Sequence, residues 1–138
     1  MSRKFEVQGV ELQVPVERAF SYIADPARLP SWTSAFATVE GERACLRTPA
    51  GEVEIGLAVE SSADRGTIDW HMSFPDGSVA VAYSRVVALS PGSSAYSFVL
   101  TAPPVPLEQL EGALDAQSRT LAAELLRLKG LLEGHEQR

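Results

Sequence analysis

Residues able to do chemistry are few and scattered along this chain. His71 and His135 are the only histidines. Neither has a cysteine pair or carboxylates at ligand spacing, so no metal centre is expected. Asp69 and His71 lie two apart in an alternating stretch, Thr67 to Phe74, which reads as a strand. They therefore share a face and have the makings of a general acid and base. That face is the polar one, opposite Ile68, Trp70, Met72 and Phe74, and this favours a solvated surface over a catalytic site. Cys45 is the single cysteine, with Arg43 and Arg47 on the same strand face. A reactive thiol needs such cationic neighbours, but the simpler reading is a small strand residue.

Tyr83 and Arg85 hold more interest. They share one strand face with Val79, Val81, Val87 and Leu89. If that face turns inward, an arginine enters an apolar interior. There it needs a partner, such as a ligand carboxylate or phenolate held in bidentate fashion. If the face turns outward, Arg85 meets Glu54 or water. A slip of one residue in register exchanges the two outcomes. Tyr22 and Tyr96 have hydroxyls suited to a pocket rim, whereas Trp32, Trp70, Phe74 and Phe98 read first as core. The chain has no glycine-rich phosphate loop, no Gly-x-Ser-x-Gly elbow and no Cys-x-x-Cys. Several enzyme classes go with them.

The elements that must hold these residues follow from spacing. Phe5 and Val7 alternate on one phase, and Val10, Leu12 and Val14 on the other. The change of phase at Gly9 predicts a strand with a β-bulge. Val16, Ala19, Phe20 and Ile23 then follow helical spacing from Pro15 to about Ala24. Asp25-Pro26 restarts a second short helix, with Asp25 as N-cap, and Pro30 is expected to end it. Trp32 and Phe36 would fasten this helical pair to the rest.

Short strands are expected at Thr38-Val39 and Ala44 to Thr48, with a turn at Pro49-Ala50-Gly51. Longer strands run through Val53 to Val59, Thr67 to Phe74, Val79 to Leu89 and Tyr96 to Leu100. Pro75-Asp76-Gly77 is a strong turn signal between two of them. Strands joined by short turns indicate an antiparallel meander. From Leu107 to about Gly134 a long helix follows, with Pro106 in its first turn. Leu107, Leu110, Leu114, Ser118, Leu121, Leu125, Leu128 and Leu132 recur at spacings of three and four. Ala113, Ala122 and Leu126 widen this stripe, leaving room with Leu131 for a secondary contact with a second chain. Residues 134–138 are expected to fray.

The chain has 138 residues, 45% of them hydrophobic and 22% charged, which suits one globular domain, 1–138. Twelve basic residues against eighteen acidic give a net charge of −6. An acidic chain with no basic run is poorly suited to phosphate backbones or anionic membranes. No apolar segment approaches the length of a signal peptide core followed by a span, so a cytoplasmic, non-inserted protein is expected. No cofactor is called for.

A meander with one apolar face must be covered, and only the C-terminal helix is long enough to do it. About 27 residues at 1.5 Å each span ~40 Å, enough to cross a sheet. A curved sheet and a straight helix do not meet everywhere, and the gap becomes a cavity. The expectation is an α+β helix-grip: six or seven curved antiparallel strands around a long C-terminal helix, with two short helices after the first strand. This element order, and the segment Val14-Pro15-Val16-Glu17-Arg18-Ala19-Phe20 with Ile23, Asp25-Pro26 and Trp32, resemble the START-like (SRPBCC) superfamily. That superfamily includes polyketide cyclase/dehydrase-like proteins and plant pathogenesis-related allergens. The resemblance implies a helix-grip fold that encloses hydrophobic ligands. It carries over no catalytic residue.

The leading functional expectation is binding or carrying of a small hydrophobic ligand, lined by Tyr83, Arg85, Trp70, Met72, Phe74, Phe98, Tyr22, Leu114 and Leu121. An alternative is a polyketide cyclase/dehydratase-like enzyme with Tyr83, Arg85 and Tyr22 as its polar groups. A third is a structural or regulatory homodimer through the C-terminal helix.

Overall fold

A computed structural model describes the backbone of residues 5–48, 51–101 and 110–136, with side chains described for 5–47, 51–101 and 115–134. Seven strands form one sheet in the order β1-β7-β6-β5-β4-β3-β2. They are β1 (Phe5–Leu12), β2 (Phe36–Glu40), β3 (Arg43–Thr48), β4 (Gly51–Ser62), β5 (Thr67–Ser73), β6 (Val79–Ser90) and β7 (Ser93–Thr101). Every neighbouring pair is antiparallel. The helices are α1 (Val16–Ile23), α2 (Leu29–Trp32) and α3 (Leu110–Glu136). This is the expected curved helix-grip sheet with its long C-terminal helix.

The local expectations hold at the helical pair with one change. Asp25 caps a 3-10 turn, Pro26–Arg28, by accepting from the Ala27 amide at 3.1 Å. Pro30 does not end the second helix. It occupies the first turn of α2, where a missing N–H is harmless, and the helix continues to Trp32. Thr33 then closes it, its hydroxyl bonded to the Leu29 carbonyl at 2.6 Å.

The β-bulge expected at Gly9 is absent. β1 pairs with β7 without interruption from Phe5 opposite Thr101 to Leu12 opposite Ser94. The phase change in the sequence is instead a change of exposure. Val10 and Leu12 face the core, while Phe5 and Val7 lie on the outer face at 58% and 54% exposure. Register shifts occur elsewhere, between Phe36 and Thr38 and between Ala88 and Ser90.

Helix α3 lies along β1 and meets α2 and β7. Leu121, Leu125, Leu128 and Leu132 are buried, and with Ile23, Trp32, Ile55, Ile68 and Tyr96 they form the core. Polar groups pin the helix where it crosses β1. Lys129 donates to the Glu11 carbonyl at 2.9 Å, and Glu133 accepts the Gln13 amide at 2.9 Å. Arg18 of α1 donates to the Leu132 carbonyl at 3.2 Å, near the C-terminal end of α3. The helix runs to Glu136. Its expected start at Leu107 and the Pro49-Ala50 part of the turn lie outside the described residues.

Leu121, Leu125, Leu128 and Leu132 are taken up by the core, while Leu126 of the same helix is 65% exposed.

Among the described glycines, Gly66 is the one whose surroundings leave no room for a side chain. It has φ 74°, and a Cβ there would sit 2.0 Å from the Val86 carbonyl oxygen. The close approach lets Val86 donate to the Gly66 carbonyl at 2.8 Å, joining the β4–β5 turn to β6.

Candidate functional site

The β5–β6 hairpin decides which side chains face inward. Phe74 donates to the Ser78 carbonyl at 2.9 Å across the connection, and Ser73 pairs with Val79. Directly opposed residues in an antiparallel pair share a face. Ser73 is exposed, so Val79 is too; Met72 faces in, so Ala80 does as well. The inner face of β6 is therefore Ala80, Ala82, Ser84 and Val86, not the row of larger residues.

Those alanines leave a space. A recess of about 110 Å³ lies between α2, α3 and the sheet, lined by Leu29, Trp32, Phe36, Trp70, Met72, Ala82, Phe98 and Leu121 among others. It adjoins a wider groove of about 510 Å³, reaching Ala80, Leu100, Thr101, Ala116, Gln117 and Thr120. Ala35, Met72, Ala82, Phe98, Leu121 and Glu124 border both parts. The walls are largely apolar, and polar groups gather toward the groove.

Among the described residues Glu124 is the only ionisable side chain on either lining. Its Oε2 accepts the Ser34 amide at 2.5 Å, across the opening between α3 and the segment after α2. Ser34 is held from the other side by Arg47, which donates to its carbonyl at 2.9 Å. Burial pushes the Glu124 carboxyl above its ordinary pKa, and the Ser34 bonds and the Arg127 charge only partly offset this. Desolvation disfavours the charged form of any carboxylate in this way. Such a group can accept a ligand hydrogen bond, and it keeps its proton to a higher pH than a solvated carboxylate does. The sequence analysis missed Glu124. Its signal was an acidic residue one turn from Leu121 and Leu128, on the border of the leucine stripe.

Behind the recess lies a buried polar cluster. The Tyr96 hydroxyl is fully buried and makes no hydrogen bond; the indole N–H groups of Trp32 and Trp70 are also unpartnered. Burial raises the Tyr96 pKa well above the tyrosine range, against the opposing influence of nearby Ser84 and Trp70. Ser84 itself donates to the Ile68 carbonyl at 2.6 Å. The Tyr96 ring meets Trp32 and Phe98 edge-on, at centroid distances of 6.3 and 6.4 Å.

The residues expected to line a pocket divide. Trp70, Met72, Phe98 and Leu121 come together on the cleft. Phe74 borders a separate surface hollow with Val53 and Pro75. Tyr22 lies beneath the Arg28 guanidinium, 5.0 Å from ring centroid to charge, beside a groove on the far side of α1. Tyr96 is core and reaches no rim. Leu114 has its side chain outside the described residues. Tyr83 and Arg85 are on the outer face, so the inward reading of that strand is corrected. Tyr83 is 48% exposed, and Arg85 donates to the Arg65 carbonyl at 3.0 Å. The expected partner of Arg85, Glu54, is taken by Arg43 at 2.7 Å.

The other candidates read as surface. His71 pairs with Glu60 at 2.8 Å on the outer face. The Cys45 thiol is pushed above its ordinary pKa by desolvation and by Glu52 and Glu54, with Arg47 too weak to reverse it. A raised thiol pKa is the opposite of activation.

No family model matches the sequence, and no curated protein matches it. Solved structures do. A START superfamily protein from Mycobacterium smegmatis superposes with a TM-score of 0.68 at 15% identity, covering 96% of this chain and 99% of that one. This chain has a START-like fold. Zhui aromatase/cyclase from Streptomyces sp. R1128 shares it, with a TM-score of 0.68 at 13% identity over 94% of this chain and 93% of the other. The di-domain ARO/CYC BexL, from the BE-7585A biosynthetic pathway, matches with a TM-score of 0.70 at 17% identity. The match covers 95% of this chain and 47% of BexL. In this chain the cleft lies between the sheet and α3. Among the described residues no helix is long and apolar enough to cross a membrane.

Proposed function

We propose that the protein binds or carries a small, mainly apolar molecule in the cleft between α3 and the inner face of β5–β7. The observation that carries this reading is the aromatic recess, small-walled at Ala82, with the Glu124 carboxylate where it meets the wider groove. Ligand sites are commonly apolar concavities with a few convergent polar groups. A ring suits the recess, a more polar remainder suits the groove near Gln117 and Thr120, and a ligand hydroxyl suits Glu124.

Native mass spectrometry of the freshly purified protein, followed by denaturing extraction, tests this. A co-purified apolar molecule supports it and names the class. If the protein is empty, titration with an environment-sensitive apolar dye is the second arm. Dye that neither binds, nor is affected by Ala82→Phe, would overturn the reading.

A second reading is cyclase- or dehydratase-like chemistry, with Glu124 as the proton-transfer group. It is favoured by the raised pKa of Glu124 beside an apolar recess. The aromatase/cyclase descriptions of two structural neighbours point the same way. Turnover of an aromatic-forming polyketide substrate, abolished by Glu124→Gln in a folded protein, supports this reading. Turnover undiminished in that variant would overturn it.

A further inference from the structure

An antiparallel sheet covered on one face ordinarily presents polar residues on the other. Strand β6 departs from this, with Ala80, Ala82, Ser84 and Val86 inside and the exposed Val79, Tyr83, Val87 and Leu89 outside beside Arg85. Seven large hydrophobic side chains are exposed among the described residues, and six stand on this one outer face, on β6 and at Phe5 and Val7 of β1. Such a contiguous patch, of a few hundred Å² or more, marks an interaction surface.

The register gives the patch a symmetry. Val99 of β7 lies opposite Val7 on one side and Tyr83 on the other. One step along, Ser97 lies between Gly9 and Arg85; one step further, Ala95 lies between Glu11 and Val87. Strand β7 is thus the midline, flanked on both sides by apolar side chains at the level of Val99. A twofold axis in the plane of the face, along β7, exchanges β1 with β6. It sets Tyr83 against Val7 of a second copy and Val99 against its own counterpart. Arg85 then lies over Gly9 of the second copy, where no side chain obstructs it, and beside Glu11. A twofold interface requires this kind of self-complementarity.

We propose that this outer face is where two copies of the chain associate, sheet against sheet, around β7. Nearly aligned packing is the usual way for two sheets to bury such faces. A stable dimer buries roughly 800 Å² per partner. The six exposed side chains supply the apolar centre of that area, and Val99, Arg85 and Glu11 extend it. The charges favour a second copy over an anionic partner. Each chain carries −6, yet among the described residues of β1, β7 and β6 the only charges on this outer face are Arg85 and Glu11, of opposite sign. The proposal does not depend on what the cleft binds.

The test is sedimentation velocity from micromolar to near-millimolar concentration. The wild-type protein is expected to form a concentration-dependent dimer. Val7→Asp and Tyr83→Asp, both on exposed positions and checked for retained circular dichroism, are expected to make it monomeric. Arg85→Glu is expected to weaken the dimer roughly tenfold or more, and adding Glu11→Arg to restore it, as a desolvated ion pair behaves. A wild-type monomer at the highest concentration overturns the proposal. So does a dimer that survives both aspartate variants, which would place the contact elsewhere, for example around Leu126. A monomer that floats with neutral phosphatidylcholine vesicles, and loses this with Tyr83→Asp, would assign the face to lipid and overturn it equally.

Discussion

Ala82 stands directly opposite Trp70 in the β5–β6 ladder, so the largest side chain on the inner face is paired with one of the smallest. The recess lies at that mismatch, with both residues on its lining. Ala82→Leu should occupy the space with little backbone adjustment. The expected result is a thermal midpoint equal to or above wild type, together with loss of dye or ligand uptake. A cavity that is not used would give the first effect and not the second. Calorimetry and a fluorescence titration on the same samples separate them.

Glu124 gives the protein a pH signature. Its folded pKa lies above the unfolded value, so the folded state holds the proton more tightly. That contribution is fully present below the unfolded pKa, near 4.5, and is lost as pH rises through the higher folded value. Glu124→Gln keeps an acceptor for the Ser34 amide and removes the desolvated charge. The variant should be more stable than wild type at neutral pH, and the difference should shrink as pH falls toward 4.5. Urea midpoints across that range provide the check. A constant difference would assign the effect to packing.

Gly66→Ala should be severe. Its Cβ would meet the Val86 carbonyl at 2.0 Å in a backbone conformation of positive φ. Strain and overpacking together predict a loss of roughly 2–5 kcal/mol, read from denaturant midpoints. Gly77→Ala, also at positive φ but with open space around it, should cost clearly less.

Tyr96→Phe should not weaken the protein. The hydroxyl is buried without a hydrogen bond, and an unmade bond of this kind is a liability of about 1–3 kcal/mol. The phenyl ring keeps the edge-on contacts with Trp32 and Phe98. A gain of about 1 kcal/mol is expected from chemical denaturation, and a clear loss would mean that a water or a ligand group partners the hydroxyl.

Local chemistry wrote much of this fold directly into the sequence. Asp25-Pro26 caps and starts a turn wherever it is placed, and the leucines from Leu121 to Leu132 have one helical face. Ile55 and Leu57, or Ile68 and Trp70, alternate on a period of two because strands do. From those patterns came the order of elements along the chain, the long helix and the need for a covered sheet. Trp70, Met72, Phe98 and Leu121 were legible as pocket lining for the same reason: each is apolar on a face that must be buried.

Tertiary structure decided what periodicity leaves degenerate. Both faces of β6 and of β1 are partly apolar, so alternation alone could not orient them. The length of the Phe74–Ser78 connection fixed the pairing of Ser73 with Val79 and turned Tyr83 and Arg85 outward. The unbroken β1–β7 ladder exposed Phe5 and Val7 where the sequence suggested a bulge. Glu124 became a cleft residue only because α3 crosses the sheet beside Ser34, a contact between positions 90 residues apart. Residue type and spacing determine which faces are apolar; the register between strands and the path of the helix determine which of those faces enclose a cleft and which are left for a partner.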